Sequence, residues 1–139
     1  MLAFVDTGAW IALLKRDDHM HERARRHYER RLADRTRFLT TNYVVAETAT
    51  RLRYDAGLDA SLAFRRALDR SISERRLRIA WIDARLEREG WAVLERFADV
   101  PLSLTDATSA AVARRAKAAE VFGFDADFRA LGFDVQPAV

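Results

Sequence analysis

Leu2-Ala3-Phe4-Val5-Asp6-Thr7 opens the chain with a short apolar run that stops on an acid. Four consecutive apolar residues ended by a polar pair read as a buried strand. Thr7 to Arg16 then reads as a helix, with Asp6 or Thr7 able to cap it. The same strand-then-helix phrase recurs along the chain. Asp18 to Asp34 reads as a helix whose apolar positions Met20, Ala24, Tyr28 and Leu32 fall every four residues. Phe38 to Thr41 is a second strand. Asn42 to Ala56 is helical, with Val45, Ala49 and Leu52 as its buried stripe and Gly57 as its stop. Asp59 caps a helix to Glu74, with Phe64, Leu68 and Ile72 inward. Leu77 to Ile82 is a third strand, Arg85 to Ala98 a helix, and Thr105 to Lys117 a helix with an alanine-rich face. Val121 to Phe124, Asp127 to Leu131 and Phe133 to Gln136 read as strand, short helix and strand. Strands separated by helices predict an α/β fold with a mostly parallel sheet covered on both faces. Such sheets gather ligands at the carboxyl ends of their strands.

The 139 residues suit one domain, 1–139. Hydrophobic residues make up 50% and charged residues 32%, an ordinary globular balance. There is no cysteine, which excludes disulfides, thiolate zinc sites and a cysteine nucleophile. Lys15 and Lys117, the only lysines, follow no glycine-rich run, so no phosphate-cradling loop of that type is present. The five glycines are too scattered for a dinucleotide turn. The longest stretch without a charged residue is Phe38 to Ala46, far short of the roughly 20 apolar residues of a membrane span. Asp6 interrupts the start before a signal-peptide core forms, so a cytoplasmic protein is expected.

The formal net charge of +3 is unevenly spread. Residues 15–37 hold nine Lys/Arg against five acids, and residues 99–139 hold four against six. A basic front and an acidic rear suit a polyanion held beside a metal; a solvated helix face explains the front equally well. The acids are the sharper signal. Asp6 and Asp125 each follow a strand directly, so a parallel sheet presents both on one edge. Asp106 stands in the first turn of a helix, where the free amides favour an anion. Glu47 points away from the Val45, Ala49, Leu52 stripe, towards Tyr43 and Tyr54. Singly, each acid has a plain reading as a cap or a solvated side chain. Crowded together, they would repel one another unless a cation neutralised them. Oxygen ligands with few histidines favour Mg²⁺ or Mn²⁺.

Five segments in order carry a family resemblance: Val5-Asp6-Thr7, His21-Glu22-Arg23-Ala24, Thr40-Thr41-Asn42-Tyr43-Val44-Val45-Ala46-Glu47, Ser103-Leu104-Thr105-Asp106-Ala107 and Phe122-Gly123-Phe124-Asp125-Ala126-Asp127-Phe128. Together they resemble the PIN-domain ribonucleases, in particular the VapC-type toxins of toxin–antitoxin pairs. The resemblance implies a three-layer α/β/α sandwich. It also implies an endoribonuclease that uses Mg²⁺ or Mn²⁺ and leaves a 5′-phosphate and a 3′-hydroxyl. Asp6 and Asp106 become the principal metal ligands, and Glu47 and Asp125 complete the catalytic cluster. Thr7 takes the place of the Ser/Thr beside the first acid. An RNA substrate, a VapB-like antitoxin and a homodimer are the expected partners. The antitoxin would lie in a groove that Trp10, Tyr43, Val44 and Tyr54 could form. Gly123 departs from the pattern, which usually has Thr or Ser there. A catalytically impaired module binding RNA or an antitoxin is the alternative. Asp127 could stand in for Asp125, and Asp99 matches an acid of one toxin subgroup but reads as structural.

Two other readings fit less well. Val5-Asp6-Thr7-Gly8-Ala9 looks like an aspartic-protease loop, but that class needs a β-rich lobe or dimer, and here a helix follows. His19, His21 and His27 do not share one helix face and read as surface or capping residues.

Overall fold

In the computed structural model, which describes residues 1–138, the opening apolar run forms β1 (Leu2–Val5), whose last three residues are buried. The chain continues as α1 (Thr7–Leu14), α2 (His21–Ala33), β2 (Arg37–Thr41), α3 (Asn42–Ala56), α4 (Leu58–Ser73), β3 (Leu77–Ala80), α5 (Ala84–Arg96), α6 (Leu104–Arg115), β4 (Glu120–Phe122), α7 (Asp127–Ala130) and β5 (Val135–Gln136). The strands form one sheet in the order β3-β2-β1-β4-β5, and every pairing is parallel. The chain therefore builds β1, β2 and β3 to one side and returns to add β4 and β5 on the other. The order reverses between β1 and β4, and their carboxyl ends frame the crevice where open parallel sheets bind ligands. Helices α1 to α4 pack among themselves and α5 packs along α6, as helices on a parallel sheet must to cover its apolar faces.

Hydroxyl groups lock the carboxyl edge. Thr40 donates to the Val5 carbonyl at 2.9 Å and accepts from Trp10 Nε1 at 3.4 Å. Thr41 accepts from the Val44 amide at 3.1 Å and so caps α3. Asn42 Oδ1 accepts from the Ile82 amide at 2.6 Å, tying the start of α3 to the segment after β3. These contacts fix the angle at which α3 leaves the sheet.

Several local expectations shift. Residues 15–20 are turns, so α2 begins at His21 rather than Asp18. The buried face of α3 is Val44, Thr48 and Leu52, and Ile72 of α4 is exposed while Ser71 is buried. Gly57, not Asp59, occupies the N-cap of α4, and its φ of 94° is one that glycine adopts without strain. His27 is not a surface residue. It is 1% exposed and its Nε2 meets Glu120 Oε1 at 2.9 Å. Arg31 adds bonds to both Glu120 oxygens, at 2.8 and 2.9 Å. Burial alone would raise the Glu120 carboxyl, yet these bonds outweigh it and hold it down to about 2. A basic helix is thereby joined to β4 through the core.

Candidate active site

Asp6 occupies the N-cap of α1 with an extended backbone, but its side chain makes no capping bond. Its amide donates to the Phe122 carbonyl at 2.9 Å, which joins the end of β1 to the end of β4. The carboxylate is thus held at the reversal point without being spent on the helix. Burial pushes its pKa up from 3.8 to about 7; the Thr7 amide opposes this, and the charges of Asp106, Glu47 and Asp125 add to it. All four predicted acids therefore share one electrostatic neighbourhood. Asp106 is shifted upward as well, by burial first, against the Ser103 bonds, with Asp125 and Glu47 contributing.

Asp106 does cap its helix. Its Oδ2 accepts from the Ser103 amide and its own amide donates to Ser103 Oγ, both at 3.0 Å, a complete capping box. The capping and site readings of Asp106 are compatible, since the Ser103 amide engages Oδ2 and, among the described residues, no hydrogen bond reaches Oδ1. Asp125, half-buried, accepts from the Asp127 amide at 2.9 Å, so Asp127 contributes its backbone to the turn that presents Asp125. Asp99 is exposed and is absent from the charges that shift Asp6 or Asp106. Gly123 lies against Asp6: a Cβ there would come within 3.1 Å of Asp6 Cβ and 3.5 Å of Oδ2. Thr7 is buried, and its Oγ1 has no hydrogen-bond partner among the described residues.

Among the described residues, no three acidic or histidine side chains are gathered into a tight metal cage. That arrangement suits a hydrated hard cation. Mg²⁺ keeps several waters and takes only one or two carboxylates together with substrate phosphate. The donors here are all oxygens, burial and neighbouring charge push the Asp6 and Asp106 carboxyls up, and the buried Thr7 hydroxyl, without a partner among the described residues, stands beside them. The residues fit Mg²⁺ or Mn²⁺.

Two open clefts flank the acids. One, about 330 Å³, is lined by Tyr43, Glu47, Thr50, Arg51 and Thr105. The other, about 280 Å³, is lined by Gly8, Ile11, Asp18, His19, Arg51 and Phe124. The sequence reading does not single out Arg51, although it lies one helical turn after Glu47 and so shares its face. Trp10 and Val44, candidates for a partner groove, are core residues at 4% and 0% exposure. Tyr54 is 84% exposed, and Tyr43 donates to Glu87 Oε2 at 2.6 Å. Of the basic front, Arg25 is paired with Glu22 and Glu29, and Arg31 with Glu120 and Asp34. A larger recess of about 670 Å³ runs along β3 past Arg37, Arg75, Arg78 and Trp81; it contains none of the four acids.

The PIN domain family model matches residues 3–134. The 23S rRNA-specific endonuclease VapC20 of Mycobacterium tuberculosis is 33% identical over 137 residues, which cover 98% of this chain and 99% of that protein. Its crystal structure, described as a sarcin–ricin loop cleaving toxin, superposes with a TM-score of 0.80 over 94% of this chain and 95% of that one. The VapBC2 structure from Rickettsia felis, bound to a promoter DNA fragment, shares the fold at 14% identity, with a TM-score of 0.69 over 98% of both chains. The sheet order, the acids at its reversal point and these likenesses lead to one conclusion: the chain belongs to the PIN-domain family.

Proposed function

We propose that this chain is a divalent-metal-dependent endoribonuclease and the toxin of a toxin–antitoxin pair, with Asp6, Glu47, Asp106 and Asp125 as its catalytic cluster. The observation that carries the reading is Asp6 itself. It is a 5%-exposed carboxylate at the strand reversal that makes no capping bond to the α1 amides and feels the charges of the other three acids. A purely structural aspartate at an N-cap would be bonded to the helix amides.

Asp6 and Asp106 would hold Mg²⁺ or Mn²⁺, with Glu47 and Asp125 completing the cluster directly or through water. When bound, the ion supplies positive charge to a phosphodiester and acidifies water. The chain's own residues do the rest. Glu47 and Asp125 are half-buried and offer acceptors that orient the attacking water and take its proton. The water oxygen bonds to phosphorus as the 3′-oxygen leaves, which gives a 5′-phosphate and a 3′-hydroxyl. The Thr7 hydroxyl provides a donor or acceptor beside Asp6. The near-full-length relative makes the sarcin–ricin loop of 23S rRNA the first substrate to try. A VapB-like antitoxin and a second copy of this chain are the partners in keeping with that family.

The test is cleavage of a sarcin–ricin hairpin and of total RNA by the purified chain. Activity should require Mg²⁺ or Mn²⁺ and stop with EDTA. Asp6→Asn should lower the rate at least about a hundredfold, the scale expected when several kcal/mol of charge stabilisation are lost. Equal activity of Asp6→Asn and the parent would overturn the catalytic role of Asp6, and no cleavage by either would leave a binding module in place of an enzyme.

A further inference from the structure

The two clefts beside the acids differ in every lining residue except Arg51. The first contains Glu47 itself and Thr105, the neighbour of Asp106. The second contains Gly8, two residues from Asp6, and Phe124, the neighbour of Asp125. Both clefts thus open beside segments that carry the acids, and Arg51 of α3 lines both.

Arg51 is exposed, and among the described residues it is the only arginine or lysine lining either cleft. Glutamate followed four residues later by arginine is the favourable spacing for a helical ion pair. No such pair forms between Glu47 and Arg51, although Arg25–Glu29 and Arg65–Asp69 close at 2.7 and 3.0 Å elsewhere in the chain. A guanidinium beside Glu47 with no ion pair among the described residues is available to a ligand. RNA approaching the acids meets repulsion at each phosphate, and a cation common to both clefts offsets it where the strand passes from one to the other. Phe124 is half-buried in the second cleft. Gly8 lies beside the ring, where a Cβ would make an ordinary contact at 3.9 Å with Phe124 Cδ2.

We propose that Arg51 grips the backbone phosphate next to the one that is cut, so that the RNA strand crosses from one cleft to the other over α3, and that Phe124 stacks the base that enters the second cleft. The inference rests on the endoribonuclease reading for the identity of the cut bond, but its binding part stands without it. The guanidinium supplies a charge-assisted contact that is present in the ground state, so it acts on binding rather than on the chemical step.

The experiment compares wild type, Arg51→Ala, Arg51→Lys and Phe124→Leu on one fluorescein-labelled RNA. Cleavage in Mg²⁺ gives kcat and KM, and fluorescence anisotropy in EDTA across a NaCl series gives the salt dependence of Kd. Arg51→Ala should raise KM about tenfold or more, with kcat and the Mg²⁺ needed for half-maximal rate unchanged. Its plot of log Kd against log salt should change slope by about 0.7, the loss of one phosphate contact to single-stranded RNA. Arg51→Lys should keep the slope, and Phe124→Leu should weaken binding without altering it. Unchanged KM and slope in Arg51→Ala would overturn the assignment. So would a fall in kcat with a raised Mg²⁺ requirement, which would make Arg51 a support for the acids. A Phe124→Leu protein that binds like wild type removes the stacked base. If wild type cuts no RNA, the endoribonuclease reading fails by itself, and the anisotropy slope still decides Arg51.

Discussion

At position 123 the family resemblance leads to the expectation of Thr or Ser, and the geometry shows what Gly123 accommodates instead. Asp6 cannot retreat from a new side chain. Its amide is bonded to the Phe122 carbonyl at 2.9 Å, and its carbonyl accepts from Ala9 and Trp10 at 3.1 and 3.2 Å. A Cβ at 123 sits 3.1 Å from Asp6 Cβ, well inside the roughly 3.5–4.0 Å optimum for carbon contacts. Gly123→Ser therefore restores the missing hydroxyl and at the same time displaces the buried carboxylate. Since an error near 1 Å at a reacting centre costs on the order of a hundredfold, we expect Gly123→Ser to lose tenfold or more in cleavage rate at saturating Mg²⁺. A gain in rate would mark Gly123 as decay of the site instead. Asp6, Asp106 and Asp125 could be placed near one edge because chain order puts each after a strand or in a helix's first turn, whereas Glu47, inside α3, joined them through the family resemblance. The missing capping bond of Asp6, the close approach of Gly123 and the unpaired Arg51 were not legible. Each depends on a distance between segments remote in sequence, which periodicity does not encode.

Helices set those distances, and α6 is the one whose placement rests on the narrowest contact. Gly90 of α5 faces Thr108 of α6, where a Cβ would fall 2.5 Å from Thr108 Cγ2 and 3.3 Å from its amide nitrogen. Thr108 Oγ1 donates to the Leu104 carbonyl at 2.9 Å, so the methyl group cannot rotate aside without breaking that bond. Gly90→Ala must push α6, and Asp106 two residues away, off its position. The expected loss is about 1–3 kcal/mol of stability, read as a lower urea midpoint with unchanged slope, together with reduced cleavage. Thr108→Ser removes the methyl group, keeps the hydroxyl and should rescue both in the double variant; failure of the rescue would mean that the contact does not position α6. Element types were readable from apolar spacing, but several ends were not. Helices α2, α4 and α6 close through left-handed residues Arg35, Arg75 and Lys117, at φ of 61°, 58° and 57°. In each, the next amide reaches back to the final helical turn: Thr36 to Arg31, Arg76 to Ser71 and Ala118 to Ala113, all at 2.9 Å. Glycine is the usual residue there. A basic residue costs about 1–2 kcal/mol of backbone strain, partly offset by its charge at the negative end of the helix. A search for glycine stops passes over all three.

At the scale of the whole molecule, two buried carboxyl groups pull stability in opposite directions with pH. Glu120 is held down to about 2, against 4.5 for the free group. Its contribution is present above pH 4.5 and is lost as pH falls towards 2. Asp6 is raised from 3.8 to about 7, so the folded state favours its proton. Its contribution is full below pH 3.8 and is lost as pH rises to about 7. Asp106 shifts in the same direction as Asp6. From these groups, the metal-free protein should be most stable at about pH 4–5 and should weaken towards pH 8, by about 4 kcal/mol from Asp6 alone at roughly 1.4 kcal/mol per pKa unit. On the proposed metal-holding role, a divalent cation would bind the ionised acids only in the folded chain and so reverse the upper limb by mass action. Urea unfolding in EDTA at pH 5 and pH 8, repeated with Mg²⁺ or Mn²⁺ and with NaCl of equal ionic strength, separates the parts. Wild type should lose stability between the two pH values in EDTA and recover it with the divalent ion but not with NaCl. Asp6→Asn, which carries no proton to lose, should show a flatter profile and a smaller response to the ion. Identical profiles for the two proteins would mean that the Asp6 charge is not confined as the fold confines it here, and the metal-holding role would lose its basis.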